Sequence, residues 1–257
     1  MKALVLSAGY GERLWPLTEK VPKPLLEIGG RPLIHYPLLM LQRAGIPEVA
    51  INVHHLAGQI EQALGRGDAL GLHITYSPEP VLLGTGGPLL VLRDYFGHEP
   101  FVLLNCDTIL GLDLPAMITF HRARAALATM ALFDTGADSY SRIEIDADGR
   151  IRRMRLLTNH THGDFNDYPA SLATAGELKP LMYCGVMVCE PSVLELAPKK
   201  LPLSLMSDLF APMVAKGMPL FGYQHHGFFR TVDDLNSYEM MREEFASIPP
   251  PLDYLSR

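Results

Sequence analysis

Residues 2–25, KALVLSAGYGERLWPLTEKVPKPL, decide how this chain is read. Lys2–Ser7 is a short, almost continuous apolar run, the signature of a strand buried on both faces. Its end opens into Gly9 and Gly11, which let the backbone approach a ligand closely and whose successive N–H groups can form an anion-binding nest. Arg13 adds a planar fork suited to phosphate oxygens. Farther on, Pro22 and Pro24 flank Lys23 and hold it in an extended segment, where an ammonium can neutralise charge growing on a phosphoryl group. The plain alternatives are a glycine turn after a strand and a solvated loop lysine. Two other phosphate motifs do not fit. The dinucleotide fingerprint GxGxxG has Leu14 at its third glycine position, and Pro16 blocks an immediate long helix. No GxxxxGK[ST] loop is present.

Working outward, strand-like and helix-like stretches alternate. Leu25–Ile28 reads as a short strand and residues 32–44 as a helix with Pro37 in its first turn or kinking it. Strands at Glu48–Val53, Leu72–Tyr76, Phe101–Leu104 and Leu127–Phe133 alternate with helices at His55–Leu64, Gly87–Tyr95 and Leu114–Ala126, which implies βαβ units and a mainly parallel sheet. The second half changes character. Arg142–Ile145 and Arg150–Leu156 read as a hairpin over Asp146-Ala147-Asp148-Gly149, and Thr158–Ala173 as an exposed polar loop. Leu181–Val188 and Met218–Tyr223 read as strands, Ser204–Lys216 and Asp234–Ala246 as helices, and Pro249-Pro250-Pro251 as a stiff end. The expected fold class is α/β: a Rossmann-like, mainly parallel sheet flanked by helices, with a smaller α+β substrate half. The expected division is a nucleotide-binding half over 1–135, a second half of the same catalytic domain over 136–246, and a tail over 247–257.

Composition narrows the function. The 257 residues are 48% hydrophobic and 19% charged, the balance of a globular chain and not of a disordered one. With 22 basic against 28 acidic residues the net charge is −6, which disfavours a protein that grips nucleic acid through bulk charge. No run approaches the ~20 apolar residues of a membrane span, and the first residues read as a strand rather than a secretory signal. A cytoplasmic protein is expected. Cys106, Cys184 and Cys189 show no CxxC pairing, which suits a reducing compartment and argues against a disulfide scaffold or a zinc site built from them.

Residues 6–18, L-S-A-G-Y-G-E-R-L-W-P-L-T, together with P-K-P-L at 22–25, resemble the N-terminal pattern of sugar-1-phosphate nucleotidyltransferases, most closely short bacterial members such as N-acetylmuramate-1-phosphate uridylyltransferases and mannose-1-phosphate guanylyltransferases. Gly84-Thr85-Gly86-Gly87 resembles that family's base- and ribose-contacting loop, and Asn105-Cys106-Asp107 its metal-binding aspartate motif. The resemblance implies a Mg²⁺-dependent transfer of a nucleotidyl group from a nucleoside triphosphate to a sugar-1-phosphate. It implies nucleotide contacts at Leu6, Ala8, Gly9, Gly11, Gly84, Thr85, Gly86 and Asn105, catalytic roles for Arg13, Lys23 and Asp107, and a metal on Asp107. Asp107 has an independent case, since it follows a buried strand at the carboxyl end where open α/β sheets place ligands; a turn or helix-capping aspartate is the plain alternative. Cys106 reads as a packed small residue and not a nucleophile.

The pattern departs from the family at two places. The family's C-terminal W-x-D-x-G corresponds to Phe229-Arg230-Thr231-Val232-Asp233, so Thr231 stands where a second metal carboxylate is expected. Asp233, two residues on and on the same face of a strand, is the candidate substitute, unless it or Asp234 caps the final helix. In the sugar half Y-G-V reads Tyr140-Ser141-Arg142, and E-K-P is represented by Glu177-Leu178-Lys179-Pro180. Ser141, Glu177, Lys179 and Gly185 are therefore the sugar-binding candidates. The loss at Thr231 also keeps open a catalytically weakened nucleotide- or sugar-binding regulator; a dinucleotide oxidoreductase is disfavoured by Leu14. His54-His55 and His225-His226 read as structural pairs, because neighbours on a strand point to opposite faces. His160 and His162 read as loop residues. Base, sugar and oligomeric state, including whether the chain forms a homo-oligomer, are not legible.

Overall fold

The computed structural model describes residues 1–136, 140–158, 164–170, 176–248 and 250–255. The strands are β1 (Lys2–Leu6), β2 (Glu27–Ile28), β3 (Arg31–Pro32), β4 (Glu48–Val53), β5 (His73–Pro78), β6 (Phe101–Asn105), β7 (Thr108–Leu110), β8 (Ala128–Phe133), β9 (Arg142–Ile145), β10 (Ile151–Leu157), β11 (Phe165–Pro169), β12 (Lys179–Cys189), β13 (Leu220–His225) and β14 (Phe229–Thr231). The α-helices are α1 (His35–Arg43), α2 (Ala57–Leu64), α3 (Gly87–Val91), α4 (Arg93–Phe96), α5 (Leu114–Ala123), α6 (Ala211–Ala215) and α7 (Leu235–Ser247). This is an α/β fold of Rossmann-like type, as the alternating pattern implies.

The chain forms two compact units. The first comprises Met1–Leu82, Val102–Leu114 and the chain from Gly227 on; the second comprises Leu83–Phe101 and Pro115–His226. In the first unit β1 pairs in parallel with β4, and β4 with β5, while β6 neighbours β1. Ala3–Val5, Val49–Ile51 and Val102–Leu104 are fully buried, so the apolar runs do form strands covered on both faces. A separate core gathers Leu14, Ile28, Tyr36, Ile109, Tyr238 and Phe245. It clamps α7 onto the loop after β1, and Tyr238 Oη donates to the Glu27 carbonyl at 3.3 Å. Residues 250–255 pack here as well: Leu252 is buried, and Tyr254 Oη donates to the Leu110 carbonyl at 3.0 Å.

The second unit carries a mixed sheet in the order β11–β10–β9–β12–β8–β13. All its pairs are antiparallel except β8 with β13. The expected hairpin is present, and its turn is built on Asp146. One carboxylate oxygen accepts the N–H groups of Asp148 and Arg150 at 3.0 Å each, and the other accepts Arg152 Nε at 2.6 Å.

Four local expectations change. Lys23–Leu25 is a 3-10 turn and not extended, because Leu25 N–H reaches the Pro22 carbonyl at 2.8 Å and Leu26 N–H that of Lys23 at 3.1 Å. The strand expected over 25–28 shrinks accordingly to β2. The polar stretch after residue 157 contains β11, which pairs with β10 from Arg153↔Pro169 to Leu157↔Phe165; its alternation is too polar to stand out from a loop. The helix expected over 204–216 begins as a π-turn over Leu205–Phe210 before α6. His160 and His162 lie outside the described residues. No helix among the described residues is long and apolar enough to cross a membrane.

Burial alone would raise the Asp146 carboxyl, but the Arg152 guanidinium and the two backbone N–H groups outweigh it and hold it below the ordinary aspartate range. A depressed native pKa stabilises the fold above the unfolded-state value and is lost as pH falls through the native one. Asp146→Asn is expected to cost about 1–3 kcal/mol at pH 7, a drop of several degrees in melting temperature. The gap to the parent should close as pH falls below about 4. A gap that is unchanged between pH 7 and pH 3 contradicts this reading of the turn.

Candidate active site

The carboxyl ends of β1, β4 and β6 and the segment around Lys23 build a polar centre inside the first unit. Gly11 turns the chain with φ +69°, and an added Cβ would meet Thr18 Cγ2 at 3.0 Å and Lys23 Cβ at 3.3 Å. Only glycine lets the loop lie this close to the lysine segment. The Gly11 carbonyl accepts Leu14 N–H and Thr18 Oγ1, both at 2.8 Å. The histidine pair braces the same loop: His55 Nε2 lies 2.7 Å from the Thr18 carbonyl and His54 Nε2 2.9 Å from Tyr10 Oη.

Lys23 Nζ lies 2.5 Å from Asp107 Oδ2, with the two side chains only 13% and 21% exposed. Burial works against the ammonium. The Asp107 carboxylate, with smaller contributions from Cys106 and Asp233, outweighs it and raises the Lys23 pKa above the ordinary lysine value. Lys23 therefore stays charged throughout the neutral range. Asp107 is fixed from two sides. Cys106 N–H donates to the Leu6 carbonyl at 3.1 Å, and Val232 N–H to the Asp107 carbonyl at 3.0 Å. Burial pushes the Cys106 thiol up to about 12, so it stays protonated and packs as a small residue.

Asp233 is where the sequence left a choice, and the structure divides its roles. Asp234 is the helix cap: its carboxylate accepts Ser237 N–H at 2.8 Å, and Ser237 Oγ returns to the Asp234 N–H at 2.9 Å. The Asp233 carboxylate is not used in that box and lies 3.7 Å from Arg13. Its pKa is raised by burial first and then by the charge of Asp107, with Lys23 and Arg13 opposing. Thr231 sits opposite Thr108 in the β7–β14 pair, its hydroxyl 3.4 Å from the Asp107 carbonyl. Two carboxylates close enough to repel, both hard oxygen donors, fit a cation such as Mg²⁺ that keeps several of its waters. Among the described residues no group of three or more His, Cys, Asp or Glu is placed to hold an ion.

Sequence reasoning missed a buried chain at the same sheet end. Ser7 N–H donates to Asn52 Oδ1 at 2.8 Å, Ser7 Oγ to the Asn52 carbonyl at 2.5 Å, and Asn52 Nδ2 to Glu79 Oε1 at 2.8 Å. It ties together the ends of β1, β4 and β5, next to Leu6 and Ala8. Asn52 inside an apolar strand was the available signal.

The glycine loop Gly84–Gly87 belongs to the second unit and packs on residues 201–205. Thr85 Oγ1 accepts Leu205 N–H at 2.9 Å, and Gly86 N–H donates to the Leu203 carbonyl at 2.8 Å. The sugar candidates do not all share one cavity. Ser141 lines a cleft of about 190 Å³ with Asp134, Tyr140, Arg142 and Pro180. Glu177 and Lys179 line another of about 450 Å³ with Phe120, Arg124 and Tyr223. Gly185, with φ +78°, sits in β12 where its register with β8 shifts, and borders neither of these clefts.

The sequence profile of the nucleotidyl transferase family matches residues 2–155, more than half of the chain. The chain belongs to that family. The family resemblance carried by residues 6–25, 84–87 and 105–107 is thereby borne out. The chain is 46% identical over 117 residues to the N-acetylmuramate alpha-1-phosphate uridylyltransferase of Neisseria meningitidis serogroup B, covering 45% of this chain and 51% of that one. It is 31% identical over 235 residues to the mannose-1-phosphate guanylyltransferase catalytic subunit beta of Drosophila pseudoobscura pseudoobscura, covering 90% of this chain and 58% of that one. The chain thus spans between half and three-fifths of the length of these curated relatives. A Bacillus anthracis structure described as a glucose-1-phosphate thymidylyltransferase superposes with a TM-score of 0.79 at 18% identity, covering 99% of both chains. That likeness establishes the nucleotide-diphospho-sugar transferase type of fold for this chain.

Gly84 has φ +78°, and a Cβ there would stand 2.5 Å from the Leu203 carbonyl oxygen. Strained backbone of this kind costs about 1–3 kcal/mol before the steric clash is added. Gly84→Ala is expected to lower the melting temperature by about 5 °C or more. A melting point unchanged within a degree contradicts the packing of this loop.

Proposed function

We propose that the chain transfers a nucleotidyl group from a nucleoside triphosphate to a sugar-1-phosphate, releasing pyrophosphate. The observation that carries this reading is Lys23, a buried and charged ammonium held on Asp107 beneath a glycine loop. The family match and the names of the curated relatives support it.

A sugar-1-phosphate oxygen is already anionic at neutral pH, so it needs no strong general base. It attacks the α-phosphorus in line; a new P–O bond forms while the bond to the bridging oxygen breaks, and pyrophosphate leaves with the electron pair. No proton has to move. Catalysis is then positioning and charge stabilisation. Leu6, Ala8 and Asn105 line the sheet end for the nucleotide, and the Gly9 and Gly11 amides with Arg13 take the leaving phosphates. Gly84, Thr85 and Gly86 are the candidates for base and ribose contacts. Lys23 exchanges one oxyanion partner for another, leaving Asp107 for the α-phosphoryl oxygens. Asp107 and Asp233 would hold Mg²⁺, which when bound supplies charge neutralisation on the phosphates. Ser141, Glu177, Lys179 and Gly185 remain the sugar-side candidates, and the reaction belongs to cytoplasmic nucleotide-sugar synthesis.

The test is pyrophosphate release with Mg²⁺, each nucleoside triphosphate being paired with a panel of sugar-1-phosphates. Release that requires one pair is expected; its absence for every pair, alongside thermal stabilisation by a nucleotide, would contradict transfer. Lys23→Ala and Asp107→Asn are each expected to lower kcat by about 100-fold or more. If Asp233 supplies the second carboxylate, Asp233→Asn falls by a similar factor while Thr231→Ala stays within about threefold of the parent. The opposite ranking of the last two variants would place the second carboxylate's role elsewhere.

A further inference from the structure

Within the first unit, the end of β4 takes hold of the loop after β1 at three points. Asn52 is 3% exposed, a polar residue among Val49, Ala50, Ile51 and Val53. Its amide sits one way round: Nδ2 donates to Glu79 Oε1, which leaves Oδ1 to accept Ser7 N–H, both at 2.8 Å. The Asn52 carbonyl accepts Ser7 Oγ as well, at 2.5 Å. β4 stops at Val53, so the next two side chains are released from strand alternation, and both reach the same loop. His54 Nε2 lies 2.9 Å from Tyr10 Oη, while its Nδ1 donates to the Glu79 carbonyl at 2.6 Å. His55 Nε2 donates to the Thr18 carbonyl at 2.7 Å, and Thr18 Oγ1 in turn donates to the Gly11 carbonyl.

These contacts hold the ends of the loop and leave its own amides open. Ser7 and Leu14 donate their N–H groups, but those between them, from Ala8 to Arg13, have no acceptor among the described residues. An added Cβ at Gly9 would meet nothing within 4 Å. Backbone donors normally find partners, and a slack loop would turn such a run inward onto its own carbonyls. Here the loop is pinned at Ser7, Tyr10 and Thr18, so the ordering of its amides is incurred on folding and not on binding. That is the preorganisation that raises a nest's affinity for an anion.

We propose that Asn52 and His55 are positioning residues for the triphosphate. Acting through Ser7 and Thr18, they hold the loop in its binding form and so set the preference for a nucleoside triphosphate over the monophosphate. In this role neither touches substrate. This rests on the reading above that the loop takes the leaving phosphates, and it adds the residues that shape the loop for them.

The experiment is calorimetric binding to the full chain with Mg²⁺. Non-hydrolysable analogues of UTP, GTP, dTTP, CTP and ATP are each compared with the corresponding nucleoside monophosphate, in the parent and in Asn52→Ala, His55→Phe and Tyr76→Phe. The last variant loses the hydrogen bond from Tyr76 Oη to the Gly65 carbonyl, which joins β5 to the end of α2, and so reports general loosening. For the preferred base, the ratio of triphosphate to monophosphate affinity is expected to fall about tenfold or more in Asn52→Ala and about threefold or more in His55→Phe. Monophosphate affinity should stay within about twofold of the parent's. The ratio should be unchanged in Tyr76→Phe, whatever its melting temperature. An unchanged ratio in either loop variant overturns the proposal, and so does an equal loss for both ligands or the same fall in Tyr76→Phe. If Asn52→Ala does not fold, His55→Phe decides alone by the same criteria. A parent that binds no triphosphate more tightly than its monophosphate overturns the proposal outright. A selective loss in a protein that releases no pyrophosphate keeps the positioning role and removes the transferase reading. Pyrophosphate release with an unchanged ratio does the reverse.

Discussion

Everything in the first unit's polar centre is arranged around one ion pair, Lys23 with Asp107. Taking both groups out of water is costly, and truncating either would strand a buried charge at a cost of about 3–5 kcal/mol. The chain meets that cost with neighbours chosen from distant segments. The glycine turn at Gly11 brings the loop after β1 against Lys23. The end of β1 fixes Cys106, next to Asp107, and Val232 holds the Asp107 carbonyl from the other side. Helix α7, capped by its own Asp234, then brings Asp233 into the same field. Under the proposed function this centre is the rest position from which Lys23 turns from Asp107 to phosphate oxygens.

The parts of this arrangement legible in the sequence are those with local signatures. An unbroken apolar run followed by Gly9 and Gly11, and prolines on either side of Lys23, constrain the chain within a few residues of themselves. The same holds for Asp107 at the end of a buried strand. What the sequence did not show are choices made by contacts between distant segments. Asp233 and Asp234 are equivalent as text; the capping box with Ser237 separates them. β11 reads as loop because Asn166 and Asp167 interrupt its apolar residues, and it exists by pairing with β10. The Ser7–Asn52–Glu79 chain joins three strands that only the sheet order makes neighbours.

The second unit shows the same rule in its departures from the family pattern. Ser141 and Arg142 stand where glycine and valine are the family's residues, and in isolation each looks like a weakened match. On the sheet, Arg142 lies opposite Arg155, and both guanidinium groups lie over the ring of Phe165. Likewise Glu177 and Lys179 border a different cleft from Ser141, which sequence spacing alone could not separate.

The central claim is that the Lys23–Asp107 pair is the resting form of a phosphate-binding centre that Asp233 completes. A crystal structure with Mg²⁺ and a non-hydrolysable nucleoside triphosphate tests it most directly. The account predicts Lys23 Nζ on the α-phosphate oxygens, and Asp107 and Asp233 both bound to the metal. A nucleotide bound away from Lys23, or a metal held without Asp233, would contradict it.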